Sequence, residues 1–190
     1  MLLEQIKDVL DGEDIIVNVP YIEWEKKVAD NAIKYVKDNG LTNLCIAVEE
    51  MAELQQAITK MVRCKGDKAF VTEELADVYL GMRFINKVYN VNIDIDKHIY
   101  PSLNEVDFIK MYTDKYSIYE ILKAINTFQG AVLDAIIYQN TKNLELKGND
   151  LIDALESLKI LYDISNKDVY KIRNYKVHRL SERIINKTKI

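Results

Sequence analysis

The sequence predicts an all-α protein, an antiparallel helical bundle. Apolar residues recur at helical spacing along most of the chain. The 190 residues include only two prolines and six glycines, and strand signals are almost absent. So few helix breakers suit long helices, and short links between them make consecutive helices antiparallel neighbours.

The elements follow in order. Residues 3–11 read as a short amphipathic helix closed by Gly12, and residues 13–19 as an extended link ending at Pro20. Ile22, Val28, Ile33 and Val36 recur at helical spacing over residues 21–39, and Gly40 suits the C-terminal cap of that helix. Thr42 is placed to N-cap a second helix reaching residue 63, whose apolar stripe is Leu44, Val48, Met51, Leu54 and Ile58. The turn Lys65-Gly66-Asp67-Lys68 leads to a third helix ending near Tyr89. Thr72 is its expected cap, which puts Glu73 and Glu74 in the first turn, where the helix dipole favours acids. Its core positions are Leu75, Val78, Met82 and Ile85. Residues 90–101 read as a connection with a short helical piece stopped by Pro101, and a further helix is expected after Ser102. Ser117 opens a long helix to residue 140, a polar loop over 141–148 ends at Gly148, and two helices follow over 149–164 and 166–187.

Residues 1–100 and 101–190 form the two expected units. Residues 73–78 (EELADV) pair with 149–154 (NDLIDA), and 47–58 (AVEEMAELQQAI) with 124–136 (AINTFQGAVLDAI). The apolar pattern is kept in the second half and the acids are not. Either the halves are degenerate repeats, or two amphipathic stretches resemble each other by default.

Composition excludes several classes. The net charge is −4, with no basic excess of the kind that marks nucleic-acid binding. Cys45 and Cys64 form neither a CxxC pattern nor a disulfide framework. Neither His98 nor His178 follows a Glu at the i+3 spacing of a di-iron bundle. Residues 1–4 turn acidic at once and no apolar run spans a bilayer, so the expectation is a soluble, cytoplasmic chain that avoids membranes.

Two acid clusters carry the chemistry, Glu49-Glu50-Met51-Ala52-Glu53 and Glu73-Glu74-Leu75-Ala76-Asp77. Residues at i and i+3 share a helix face, so Glu50 points with Glu53, and Glu74 with Asp77. Each pair adjoins an apolar stripe, so packing of the two helices brings four carboxylates to one point. Such a set repels itself unless a cation resolves the conflict. All-oxygen donors suit Mg²⁺ or Mn²⁺, ions that often bind substrate phosphates directly. Glu-rich helices are commonly just solvated, and either pair alone is a weak signal. Their combination on consecutive helices, with Ala52, Ala57, Ala76 and Gly81 allowing close approach, is more specific.

With these motifs the chain resembles the MazG-like all-α nucleoside triphosphate pyrophosphohydrolases, whose signature is EExxE followed downstream by ExxD. The likeness covers residues 21–95. It returns at 176–183 (KVHRLSER), which is similar to the basic helix that ends a MazG-like unit. The first half itself lacks that tail. The resemblance implies hydrolysis of an NTP or dNTP to the monophosphate and pyrophosphate, with Mg²⁺ (or Mn²⁺) on Glu50, Glu53, Glu74 and Asp77. It also implies a homo-oligomer, dimer or tetramer. Glu49, next to the metal pair, is the expected catalytic residue that orients or deprotonates water. Lys60, Arg63, Lys65, Lys176, Arg179 and Arg183 are the candidate phosphate ligands, the last three lying at i, i+3 and i+7 on one helix face. The lysine-tryptophan motif of the related all-α dUTPases is replaced by Lys60-Met61-Val62-Arg63. The rival expectation is a non-catalytic helical module that binds a nucleotide or another protein.

Overall fold

Wherever the described chain carries an apolar stripe at helical spacing, it forms a helix. The computed structural model describes residues 19–36, 38, 40–96 and 117–188. Among the described residues are six α-helices and no strand: α1 (Val19–Val36), α2 (Leu41–Val62), α3 (Lys68–Tyr89), α4 (Ile118–Tyr138), α5 (Leu144–Leu161) and α6 (Asn166–Thr188). The helices expected over 3–11 and after Ser102 lie outside the described residues.

Two helical hairpins organise the bundle. In the first, α2 packs along α3 so closely that a Cβ on Gly81 would sit 2.9 Å from the Ala47 side chain. In the second, α4 packs along α5. The hairpins meet through α2 and α4, where Gln129 Nε2 donates to the Val48 carbonyl at 2.9 Å and Gln55 donates to Asn126 at 3.2 Å. Those pairings run in opposite directions, so the two helices are antiparallel. On the other side α6 lies antiparallel across α3 and also contacts α1. α1 runs parallel to α3, with Glu25 facing Arg83 and Asp30 facing Lys87.

Burial follows this arrangement. One core cluster runs from Leu44, Met51 and Leu54 on α2 through Leu75 and Met82 on α3 to Phe128, Leu155 and Ile172, so it joins both halves of the chain. A second cluster seats α1 and α6 on α3 through Val28, Ala32, Leu80, Phe84 and Val177. A fully buried Leu or Phe contributes about 1.5–3 kcal/mol, so these stripes, rather than the polar turns, hold the bundle.

Local chemistry moves several boundaries. Pro20 lies inside the first turn of α1, where its missing N–H costs nothing. Gly40 takes a left-handed φ of 83° and precedes α2 directly. Thr42 is not the cap of α2: its backbone N–H and its hydroxyl both donate to the Asp38 carboxylate, which serves the helix start instead. Asp67, not Thr72, caps α3 by accepting from Ala69 N at 2.9 Å. The Thr72 hydroxyl bonds back to the Lys68 carbonyl, and Glu73 and Glu74 consequently lie beyond the first turn, outside the reach of the dipole. The described residues 90–96 contain no helical piece. Ser117 caps α4 as expected and forms a reciprocal capping box with Glu120. α5 begins at Leu144, so Gly148 is inside a helix rather than at the end of a loop. A side chain there would strike Ile93, whose Cδ1 would lie 2.5 Å from the added Cβ. That close packing, not a turn, explains the glycine. Cys45 and Cys64 are exposed free thiols. No helix among the described residues is long and apolar enough to cross a membrane.

Candidate metal centre

The acids of α2 and α3 converge because the hairpin crosses at small residues. The carboxylates of Glu50, Glu74 and Asp77 each offer an oxygen within 4.8 Å of the others. All three are half-buried. Burial is the main force on each. It raises Glu50 to about 7, with repulsion from Asp77 next. Glu74 rises to about 8 by burial and then by Asp77 and Glu53. Asp77 rises to about 6 by burial, opposed by Lys176. Glu74 Oε2 is buried and accepts no hydrogen bond. A lone acceptor shielded from water, within a self-repelling set of oxygens, fits a hard divalent cation.

Glu53 is exposed and stands outside that triad, yet it lines the same cleft. The cleft has a volume of about 410 Å³. Glu50, Glu53, Glu73, Glu74 and Asp77 form its acidic wall, and Lys176, Arg179 and Arg183 face them from α6. Five acids thus oppose three cations. Lys176 is already engaged, with Nζ 3.1 Å from Glu73 Oε1 and hydrogen-bonded to Asp77 Oδ2. Burial lowers the pKa of this ammonium, but Asp77 and Glu73 outweigh that and raise it. The Arg179 guanidinium lies 5.6 Å from the centre of the Tyr175 ring.

A second cleft of about 400 Å³ adjoins the first through Glu53, Phe70 and Glu74. Lys60 and Lys65 line it, and Lys60 also donates to Gln56 at 2.9 Å. The structure therefore divides five of the six predicted phosphate ligands between two adjoining clefts. Arg63 lines neither, and its Nε donates to the Thr59 carbonyl. Glu49 is exposed on α2 and is not among the lining side chains of either cleft. Phe70, an aromatic side chain 40% exposed where the clefts meet, is marked by nothing in the sequence.

A second charge network surrounds Arg83, whose place among core positions of the third helix points to a paired acid. Glu25 is wholly buried and accepts from Arg83 Nε at 3.0 Å and from Arg173 at 2.6 Å. Arg83 also donates to Asp96 at 2.6 Å. Burial opposes the charge on Arg173, but Glu25 and Asp96 overcome it and raise the pKa. Further along, Tyr79 donates to Glu156 at 3.2 Å, and Lys159 pairs with Glu156. Part of this was detectable. Glu25 sits three residues from both Ile22 and Val28, and Arg173 sits four from both Val169 and Val177, so each interrupts an apolar stripe. A charge on a core face implies a buried partner.

No protein-family model, no curated protein and no solved structure matches this chain.

Proposed function

We propose that this chain is a nucleoside triphosphate pyrophosphohydrolase with a MazG-like helical bundle, cutting an NTP or dNTP into the monophosphate and pyrophosphate. One observation carries the reading: Glu50, Glu74 and Asp77 converge from two helices in a cleft whose far wall is the cationic face of α6. Mg²⁺ or Mn²⁺ held by Glu50, Glu74 and Asp77, with Glu53 at the rim, would supply Lewis-acid polarisation of the phosphoryl oxygens and a more acidic water.

The chain's own residues do the rest. Arg179 and Arg183 bind and orient the phosphates, and Lys60 and Lys65 extend that grip into the second cleft. Water attacks the α-phosphorus, the bond to the bridging oxygen breaks, and pyrophosphate leaves. A carboxylate must hold the attacking water and take its proton. Glu53, exposed in the cleft and outside the triad, is better placed for this than Glu49, which lines neither cleft. Phe70, where the clefts meet, is suited to cover the nucleoside. Two finer proposals accompany this reading. The internal likeness of the halves makes the second half of the chain a degenerate repeat without the acids, and the family resemblance makes the chain a homo-oligomer.

A second reading draws on Lys176. Its contacts with Asp77 and Glu73 neutralise part of the acid wall, as in a non-catalytic module that only binds a nucleotide. Pyrophosphate release from a panel of NTPs and dNTPs, with Mg²⁺, Mn²⁺ or EDTA, separates the two. Metal-dependent release with a monophosphate co-product supports the hydrolase, while nucleotide binding without release supports the module.

A further inference from the structure

We infer that Lys176 is a built-in counter-cation, one that occupies the acid wall in the metal-free protein and is displaced from Asp77 when a divalent cation binds. The inference depends on Glu50, Glu74 and Asp77 being a metal site. Lys176 reaches into the wall from α6, a different helix from the acids, and touches Asp77 and Glu73 together. Its side chain is 18% exposed and theirs are 15% and 7%, so the contact is poorly screened by water. Asp77 is thereby asked to serve two cations, the ammonium and the divalent ion. At such separations two cations repel, so each weakens the hold of the other.

The side chain has somewhere to go. A lysine stem has four flexible carbons and its ammonium needs no fixed approach, so it withdraws without moving its helix. The helix itself is held one turn earlier, where Arg173 is buried against Glu25 and Asp96. Withdrawal points the ammonium into the cleft already lined by Arg179 and Arg183. There a polyphosphate is the natural anion for three cations. Metal and Lys176 are therefore antagonists at Asp77, whereas metal and an anionic substrate cooperate. By linkage, substrate that captures Lys176 tightens the metal by the same factor that metal tightens substrate.

The test is Mn²⁺ binding without nucleotide, followed by the free-ion paramagnetic resonance signal, for the wild type, Lys176→Met and Glu74→Gln. Lys176→Met should bind Mn²⁺ at least about tenfold more tightly than the wild type, since it removes a competing charge from a half-buried site. Glu74→Gln should lose binding. Wild-type binding with equal or weaker binding by Lys176→Met overturns the displacement and leaves the metal centre standing. Absence of binding in both the wild type and Lys176→Met overturns the metal centre and the displacement with it. A second measurement needs no variant. Reductive methylation of Lys176 in the wild type, read by peptide mass spectrometry, should rise several-fold on adding Mn²⁺. Unchanged or reduced labelling overturns the inference even where Lys176→Met fails to fold.

Discussion

Two charge clusters sit at the ends of one stretch of α3, and they obey different arithmetic. Around Arg83, two arginines meet two acids, and the groups are hydrogen-bonded to one another. Around Glu74 and Asp77, five acids face three cations. The first cluster is balanced in charge without any further ion, although Glu25 Oε2 and Arg173 Nε are left without a hydrogen-bond partner. The second is not: burial first, and mutual repulsion after it, raises the pKa values of its half-buried carboxylates. Charge balance thus tells a structural network from a site built for something absent from the chain, where a simple count of charged residues would not.

Single substitutions should split the clusters by sign. Glu74→Gln removes one repelling charge and one proposed ligand. We expect turnover to fall roughly 10³-fold, about 4 kcal/mol of transition-state stabilisation, as when a directly acting charge-stabilising group is lost. The metal-free variant should nonetheless melt higher than the wild type. Activity near wild type would remove Glu74 from the chemistry. Arg173→Met should do the reverse to stability. It leaves Glu25, which has no exposed surface, with Arg83 as its one remaining cation, and should cost about 3 kcal/mol in urea unfolding. An effect below 1 kcal/mol, measured against the same baseline, would mean that Arg83 alone satisfies Glu25.

The acid cluster should also make stability depend on pH. The folded state raises Asp77 to about 6, Glu50 to about 7 and Glu74 to about 8, so it binds their protons more tightly than the unfolded chain does. Their contribution is therefore most favourable below the ordinary carboxylate range and is lost as pH rises through these values. Metal-free protein should lose melting temperature from pH 5 to pH 8 by several degrees. Mg²⁺ should restore more at pH 8 than at pH 6, since it competes with fewer protons. A melting temperature that climbs over that interval without metal contradicts the proposed source of the shifts.

The sequence revealed these clusters unequally, for a physical reason. Glu50, Glu74 and Asp77 were legible because the i, i+3 rule is local and two such pairs fall on neighbouring helices. Lys176, Arg179 and Arg183 were legible as one helix face in the same way. Glu73 as a partner of Lys176 was not, since that contact spans 103 positions and depends on how α6 crosses α3. Arg83 falls next to the core position Met82, which points to a paired acid, but Glu25 lies 58 residues away and looks like one more charge among Lys26 and Lys27. The helix count from Ser117 onward was readable from periodicity. The Ser117 cap was readable too, but those of α2 and α3 were not, because Asp38 and Asp67 lie a few residues before Thr42 and Thr72 and only the chain path decides where each helix starts. Gly148 looked like a turn because nothing local reveals that Ile93 packs on it.

The comparison needs a third point, a charge pair that is neither buried nor unbalanced. Lys87 on α3 meets Asp30 on α1 at 2.9 Å, with side chains 51% and 35% exposed. It joins the same two helices as the Arg83–Glu25 pair, about one turn further along each. Water screens it, and ordering a long lysine stem offsets much of the attraction, so such pairs contribute about 0–1 kcal/mol. Lys87→Met should therefore shift the urea midpoint by no more than that, and less still in 0.5 M salt. If it instead costs as much as Arg173→Met, burial is not what distinguishes the pairs. The stability of the α1–α3 contact would then reside in its charges generally, and the apolar seam of Val28, Ala32 and Phe84 would be secondary.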